Sequence, residues 1–221
     1  MNREQFYHLL RASSEIVEMQ RAWRGIDVNE HPARILVIGS QSILGTWSEE
    51  YLPDATTSSV EMDVAFMPVS VDECAFDVPA QEFADWVESN IGEETHFHDS
   101  FMVYAQGVAA DTAILPSGWQ RRLIEIQVPE LKTRTKIYCL DPYDLCAAKL
   151  TRLEEKDRLY VGSLIEAGDI DANALRERVA MIHDSRFTIP LRAQAQDFLN
   201  AFGIDNIRHR EHLTRRHRHP R

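Results

Sequence analysis

The chain has 221 residues, 44% of them hydrophobic and 27% charged, with a formal net charge of −11. That length and apolar content fit one ordinary globular domain with a helical extension, or two small domains. The charge argues against a broadly basic nucleic-acid binder, no apolar run approaches the roughly 20 residues of a membrane span, and the mixed-charge start Met1-Asn-Arg-Glu-Gln-Phe-Tyr7 has no signal-peptide core.

Cys74, Cys139 and Cys146 are spaced for neither zinc nor a disulfide framework, so a reduced cytoplasmic setting is expected. Phe6, Leu9, Leu10, Ile16 and Met19 recur at helical spacing and predict an amphipathic helix over 3–23. The apolar run Ala33–Ile38 predicts a buried strand that ends at Gly39-Ser40, followed by a helix over Gln41–Trp47. Pro53 and the polar residues 54–59 predict a loop, and Val60–Phe66 a second strand. Phe83, Trp86 and Val87 predict a helix over 80–90. Residues 97–108 read as a strand, or as a hairpin with 110–115, and strands follow at 123–128 and 136–140. Asp141-Pro142 is a helix start, since Asp can cap and Pro is tolerated in the first turn. That helix is expected to reach about residue 166, with two more near 171–183 and 190–202.

Strands in the middle flanked by helices predict an α+β fold: a mixed β-sheet with flanking helices and a C-terminal helical region. The expected division is a core with its N-terminal helix over 1–141, a helical region packed on it over 142–207, and a basic, disordered tail over 208–221. The tail holds six Arg and four His against one Glu and could touch RNA or an acidic partner.

Glu61 and Asp63 stand two apart on a strand, so their carboxylates share a face while Met62 and Val64 turn to the other. Adjacent carboxylates leaving water need a cation, and Mg2+ carried by a triphosphate would serve. Gly39-Ser40 follows a strand and precedes a helix, where the backbone can approach a phosphate and Ser40 can add a hydroxyl. His96 and His98 would share a strand face, but no third metal ligand stands near them in sequence. Tyr104 and Gln106 are placed on the cleft with no role attached.

The strings Ile38-Gly-Ser-Gln-Ser-Ile-Leu-Gly45 and Ser59-Val-Glu-Met-Asp-Val64 resemble the nucleotidyltransferase superfamily. With Tyr104–Val108, Leu115–Leu123, Cys139–Leu145, Lys149 and Glu155–Asp157, the chain is most similar to a bacterial nucleotidyltransferase-like family of unknown function, over roughly residues 5–170. More distantly it resembles the AbiE-type toxins of toxin–antitoxin and phage-defence systems. The resemblance implies a Mg2+-dependent enzyme that moves a nucleotidyl group from a nucleoside triphosphate to an RNA, often a tRNA end, or to a protein hydroxyl. In its sharpest form it implies a toxin with a cognate antitoxin. Glu61 and Asp63 would hold metal, and Gly39 and Ser40 the triphosphate. A third metal-binding acid is expected on a later strand, where Glu125 is the best placed.

Within the expected helix 142–166, Lys149 interrupts one apolar row and Asp157 a second. They should stand about 12 Å apart along the axis and about 80° apart around it, lining one edge of a cleft. Lys149 would neutralise triphosphate charge, and Asp157 would position Lys149, a cation or the acceptor. The alternative is a non-catalytic nucleotide- or partner-binding module on the same fold, a regulator or antitoxin-like protein. A nuclease using the same acids is disfavoured, because it needs no triphosphate cradle.

Overall fold

The structure is a computed structural model that describes residues 1–67 and 80–216, the side chains of 203–216 excepted. Cys74 and the charged groups of the 208–221 segment therefore lie outside the described residues. One five-stranded sheet has the order β3-β2-β1-β5-β4, with β1 at Arg34–Val37, β2 at Glu61–Phe66, β3 at Tyr104–Gly107, β4 at Ile124–Ile126 and β5 at Lys136–Cys139. Strand β1 runs antiparallel to β2 and parallel to β5; β2 is parallel to β3, and β4 antiparallel to β5. The helices are α1 (Arg3–Trp23), α2 (Asp54–Thr57), α3 (Ala80–Ile91), α4 (His96–Phe101), α5 (Pro142–Arg152), α6 (Glu155–Ala167), α7 (Ala172–Ala180) and α8 (Ile189–Arg216). A mixed sheet with flanking helices is the expected α+β fold. The chain divides into two compact units, Met1–Ala113 with Gly118–Leu145, and Ile114–Ser117 with Cys146–Arg221. No described helix is long and apolar enough to cross a membrane.

In the first unit, α1 opens on a capping box in which Asn2 and Gln5 satisfy each other's backbone N–H groups. Its buried stripe is Phe6, Leu9, Leu10, Ser13, Ser14 and Val17, while Met19 is exposed. Val17 takes the place expected of Met19 because it continues the helical period from Leu10 through Ser13 and Ser14. Helix α3 lies on the sheet face that carries Met62, Val64 and Phe66, with the Phe66 and Phe83 rings 5.6 Å apart. It comes so close to β3 that a Cβ on Gly107 would overlap the Ala84 carbonyl. Along the same face, the 3-10 segment Ser40–Gly45 lays Gly45 against Cys139. Burial there pushes the Cys139 thiol up to about 12, so it packs as an inert apolar group.

Four expected elements of this unit change, the first being the loop expected over 54–59, of which Asp54–Thr57 form the short helix α2. The helix expected over Gln41–Trp47 is that 3-10 segment, one residue earlier and shorter. The strand expected from residue 97 is instead α4, capped by Thr95, whose hydroxyl accepts from His98 N at 3.3 Å, and ended by Met102 at φ 57°. Phe97 and Phe101 stand four apart and both meet the His8 ring, at 5.2 and 4.4 Å, a helical spacing that the strand reading overlooked. His96 and His98 therefore share no strand face. Residues 110–115 form no strand.

In the second unit, the helix expected to run unbroken to about 166 breaks at Leu153, whose φ of 54° ends α5 before α6 begins. Helix α6 ends on Gly168 at φ 86°, and Asp171 caps α7 by accepting from Asn173 N and Ala174 N. Gly162 lets α6 approach α8, where a Cβ would lie 3.3 Å from the Phe202 ring and 3.8 Å from that of Phe198.

Candidate active site

Antiparallel pairing of β1 with β2 brings the end of one beside the start of the other, and Ile38 N donates to the Asp63 carbonyl at 3.1 Å. Gly39 follows directly. Its φ of −89° suits any residue, but a Cβ there would overlap Asp63 Oδ2. What position 39 requires is therefore space, and the Asp63 carboxylate fills it. Half-buried Ser40 begins the 3-10 segment. The turn is braced from below: buried Gln41 donates to the Ser59 carbonyl at 3.2 Å, and buried Ser42 Oγ accepts from Leu140 N at 2.6 Å. The N-terminal amine donates to the carbonyls of Thr57 and Ser59, bracing the approach to β2.

Glu61 and Asp63 are half-buried, while Met62 and Val64 between and beside them are fully buried on the opposite face. In the parallel register of β3, Tyr104 stands opposite Glu61 and Gln106 opposite Asp63. The Tyr104 hydroxyl donates to Glu61 Oε2 at 3.4 Å. Burial pushes the Tyr104 phenol up to about 12, and the carboxylates of Glu61, Glu93 and Asp63 reinforce the shift, so the group is a donor at neutral pH. Tyr104 is a cleft residue to which sequence reasoning could attach no role. The signal that reveals it is strand register, which one sequence does not carry.

Glu125 is not brought to this pair. It lies on the edge strand β4, three strands from β2, a separation of about 14 Å at ordinary strand spacing. It is exposed and faces Tyr138, opposite it in the β4–β5 register, whose phenol is pushed up by burial and by the Glu125 carboxylate. Among the described residues no group of three or more His, Cys, Asp and Glu side chains is placed to hold a metal ion. The structure thus gathers Gly39, Ser40, Glu61 and Asp63, and leaves Glu125 apart.

Lys149 and Asp157 lie in the second unit, and not at the two ends of a 12 Å span. The break at Leu153 folds α6 back, so that Lys149 Nζ stands 3.3 Å from Asp157 Oδ1. Both are buried, Arg152 donates to the same carboxylate oxygen at 3.0 Å, and the ammonium lies 4.2 Å from the Tyr160 ring centre. Burial lowers the Lys149 pKa, and Asp157 opposes that shift. Lys156 does not join them: it is exposed and pairs with Glu154 at 3.4 Å.

Comparison with protein-family profiles matches residues 14–210 to the family described as nucleotidyltransferase of unknown function (DUF6036). The chain belongs to this family. The match spans the Gly39-Ser40 turn, β2, β3 and the α5–α6 pair, so membership covers both the acidic site and the buried lysine. No curated protein and no solved structure matched the chain. Membership in a nucleotidyltransferase family makes a nucleotide the expected substrate class.

Proposed function

We propose that the chain transfers a nucleotidyl group, AMP- or CMP-like, from a Mg2+-bound nucleoside triphosphate to a hydroxyl on RNA, a tRNA-like end in particular, or on a protein. The observation that supports it most is the contact of the Asp63 carboxylate with Gly39, with Glu61 on the same sheet face. An acid pair and a strand-to-helix turn stand side by side, as metal and triphosphate require.

The donor set suits the ion. Mg2+ prefers hard oxygens and is commonly held by one or two carboxylates, completed by phosphate oxygens and water. Glu61 and Asp63 meet that need for one ion without Glu125. When bound, Mg2+ would supply charge to the phosphate oxygens and to the departing pyrophosphate. Gly39, lacking a side chain, lets the Asp63 carboxylate stand against the turn, and the Ser40 hydroxyl orients a phosphate oxygen. The acceptor hydroxyl gives up its proton to solvent water and forms its bond to the α-phosphorus as the bond to pyrophosphate breaks. Lys149 enters this reading as half of a buried pair with Asp157, which holds the α5–α6 turn, because its ammonium is already engaged.

The Gly-Ser turn, the acidic pair and the later Lys and Asp resemble AbiE-type toxins and support a toxin role with a cognate antitoxin. Expression of the wild-type chain should then arrest growth, and Asp63→Ala should not. For the chemistry itself, α-labelled triphosphates are incubated with the chain and total RNA or lysate. Label should enter RNA or protein with the wild type and Mg2+ but not with Asp63→Ala; equal labelling by both would remove the catalytic reading. The distance of Glu125 from the pair favours a second reading, a nucleotide- or partner-binding module without transfer. Calorimetry separates the two, since a module would bind triphosphate equally with and without Mg2+ and transfer nothing.

A further inference from the structure

We propose that Tyr104 is a positioning residue, which holds the Glu61 carboxylate in the orientation that metal binding needs; the inference rests on the metal-binding reading of Glu61 and Asp63. Its support is geometric. The β2–β3 register sets Tyr104 directly opposite Glu61, and Tyr104 N donates to the Val60 carbonyl at 3.1 Å, which fixes the strand at that point. The hydroxyl reaches Glu61 Oε2 at 3.4 Å. That separation is long for an O–H···O bond and leaves room to shorten.

The ring is itself held. The His98 ring centre lies 4.8 Å from that of Tyr104, and His98 Nδ1 accepts from Glu94 N at 3.2 Å. His98 N is in turn tied to the Thr95 cap of α4. A chain of contacts therefore runs from the start of α4 through His98 and Tyr104 to Glu61. A carboxylate on a strand can swing about its χ angles, and each rotamer lost before binding is entropy not lost on binding. A hydroxyl beside one oxygen restricts that freedom. Partners of metal ligands commonly act in this way, and their removal weakens binding by about tenfold or more.

The test uses the full chain with a non-hydrolysable nucleoside triphosphate and Mn2+ as the probe ion, free Mn2+ being read by electron paramagnetic resonance. Wild type, Tyr104→Phe, Glu61→Gln and the double variant form a cycle. Tyr104→Phe should weaken Mn2+ binding about tenfold with an unchanged melting temperature, and should have no further effect once Glu61 is Gln. A Tyr104→Phe chain that binds Mn2+ as the wild type does would overturn the proposal, as would an equal loss in the Glu61→Gln background. If Glu61→Gln itself leaves Mn2+ binding unchanged, the metal reading of the site fails, and the role of Tyr104 fails with it. That outcome is distinct from one in which Glu61 matters and Tyr104 does not.

Discussion

A methyl group at position 39 would occupy the space now held by Asp63 Oδ2. Because the backbone there is ordinary, Gly39→Ala costs nothing in φ and acts only by displacing the carboxylate or the turn. We expect at least about a tenfold loss in transfer rate with a melting temperature within about 5 °C of wild type, in keeping with misplacement of a reacting group. Initial rates and a thermal melt on the same sample check it; unchanged rates would mean that the contact is unrelated to catalysis. The acid pair itself was legible in the sequence, because period-two spacing on an apolar run fixes which side chains share a face. The pairing of Tyr104 with Glu61 was not, since it depends on how β3 pairs with β2. Glu125 was misplaced for the related reason that its alternation was readable but the strand order was not.

Helices α5 and α6 join through Leu153 in the left-handed region, a conformation that costs a leucine about 1–3 kcal/mol unless its surroundings impose it. The buried Lys149–Asp157 pair and the packing of Leu153 and Tyr160 are those surroundings. Asp157→Ala would take the carboxylate away from the buried Lys149 ammonium and should lower stability by about 3–5 kcal/mol in chemical denaturation. Replacing both by apolar residues, as Lys149→Met with Asp157→Leu, should recover most of that loss; if it does not, the pair contributes more than charge balance. A similar arrangement holds the start of α5, where Arg122 Nε and Nη2 meet the two Asp144 oxygens at 2.8 and 3.0 Å, with Asp144 buried. Arg122→Leu should cost about 3 kcal/mol, while Arg122→Leu with Asp144→Leu should cost less. The existence of the 142–166 helix was legible from its apolar rows, but its break was not, because neither Gly nor Pro marks it. The helix α4 was hidden for the opposite reason: His96-x-His98 imitates strand alternation, and only the Phe97–Phe101 spacing betrays the helical period.

The molecule as a whole carries −11, so an RNA acceptor would meet repulsion except where cations gather, as in the six Arg of residues 208–221. If those arginines met phosphates, deleting 208–221 would reduce the slope of log affinity against log salt by about 4 for a single-stranded acceptor end. Anisotropy of labelled tRNA across a salt series measures it, and an unchanged slope would assign the acceptor contact elsewhere. The central claim is that Glu61 and Asp63 hold a divalent ion beside a triphosphate at the Gly39-Ser40 turn. Its most direct test is a crystal structure of the chain with Mn2+ and a non-hydrolysable triphosphate, phased on the manganese anomalous signal. The account predicts a manganese peak bridging the two carboxylates, with phosphate oxygens within hydrogen-bond reach of Ser40. A triphosphate bound away from that turn, or manganese bound without either carboxylate, would contradict it.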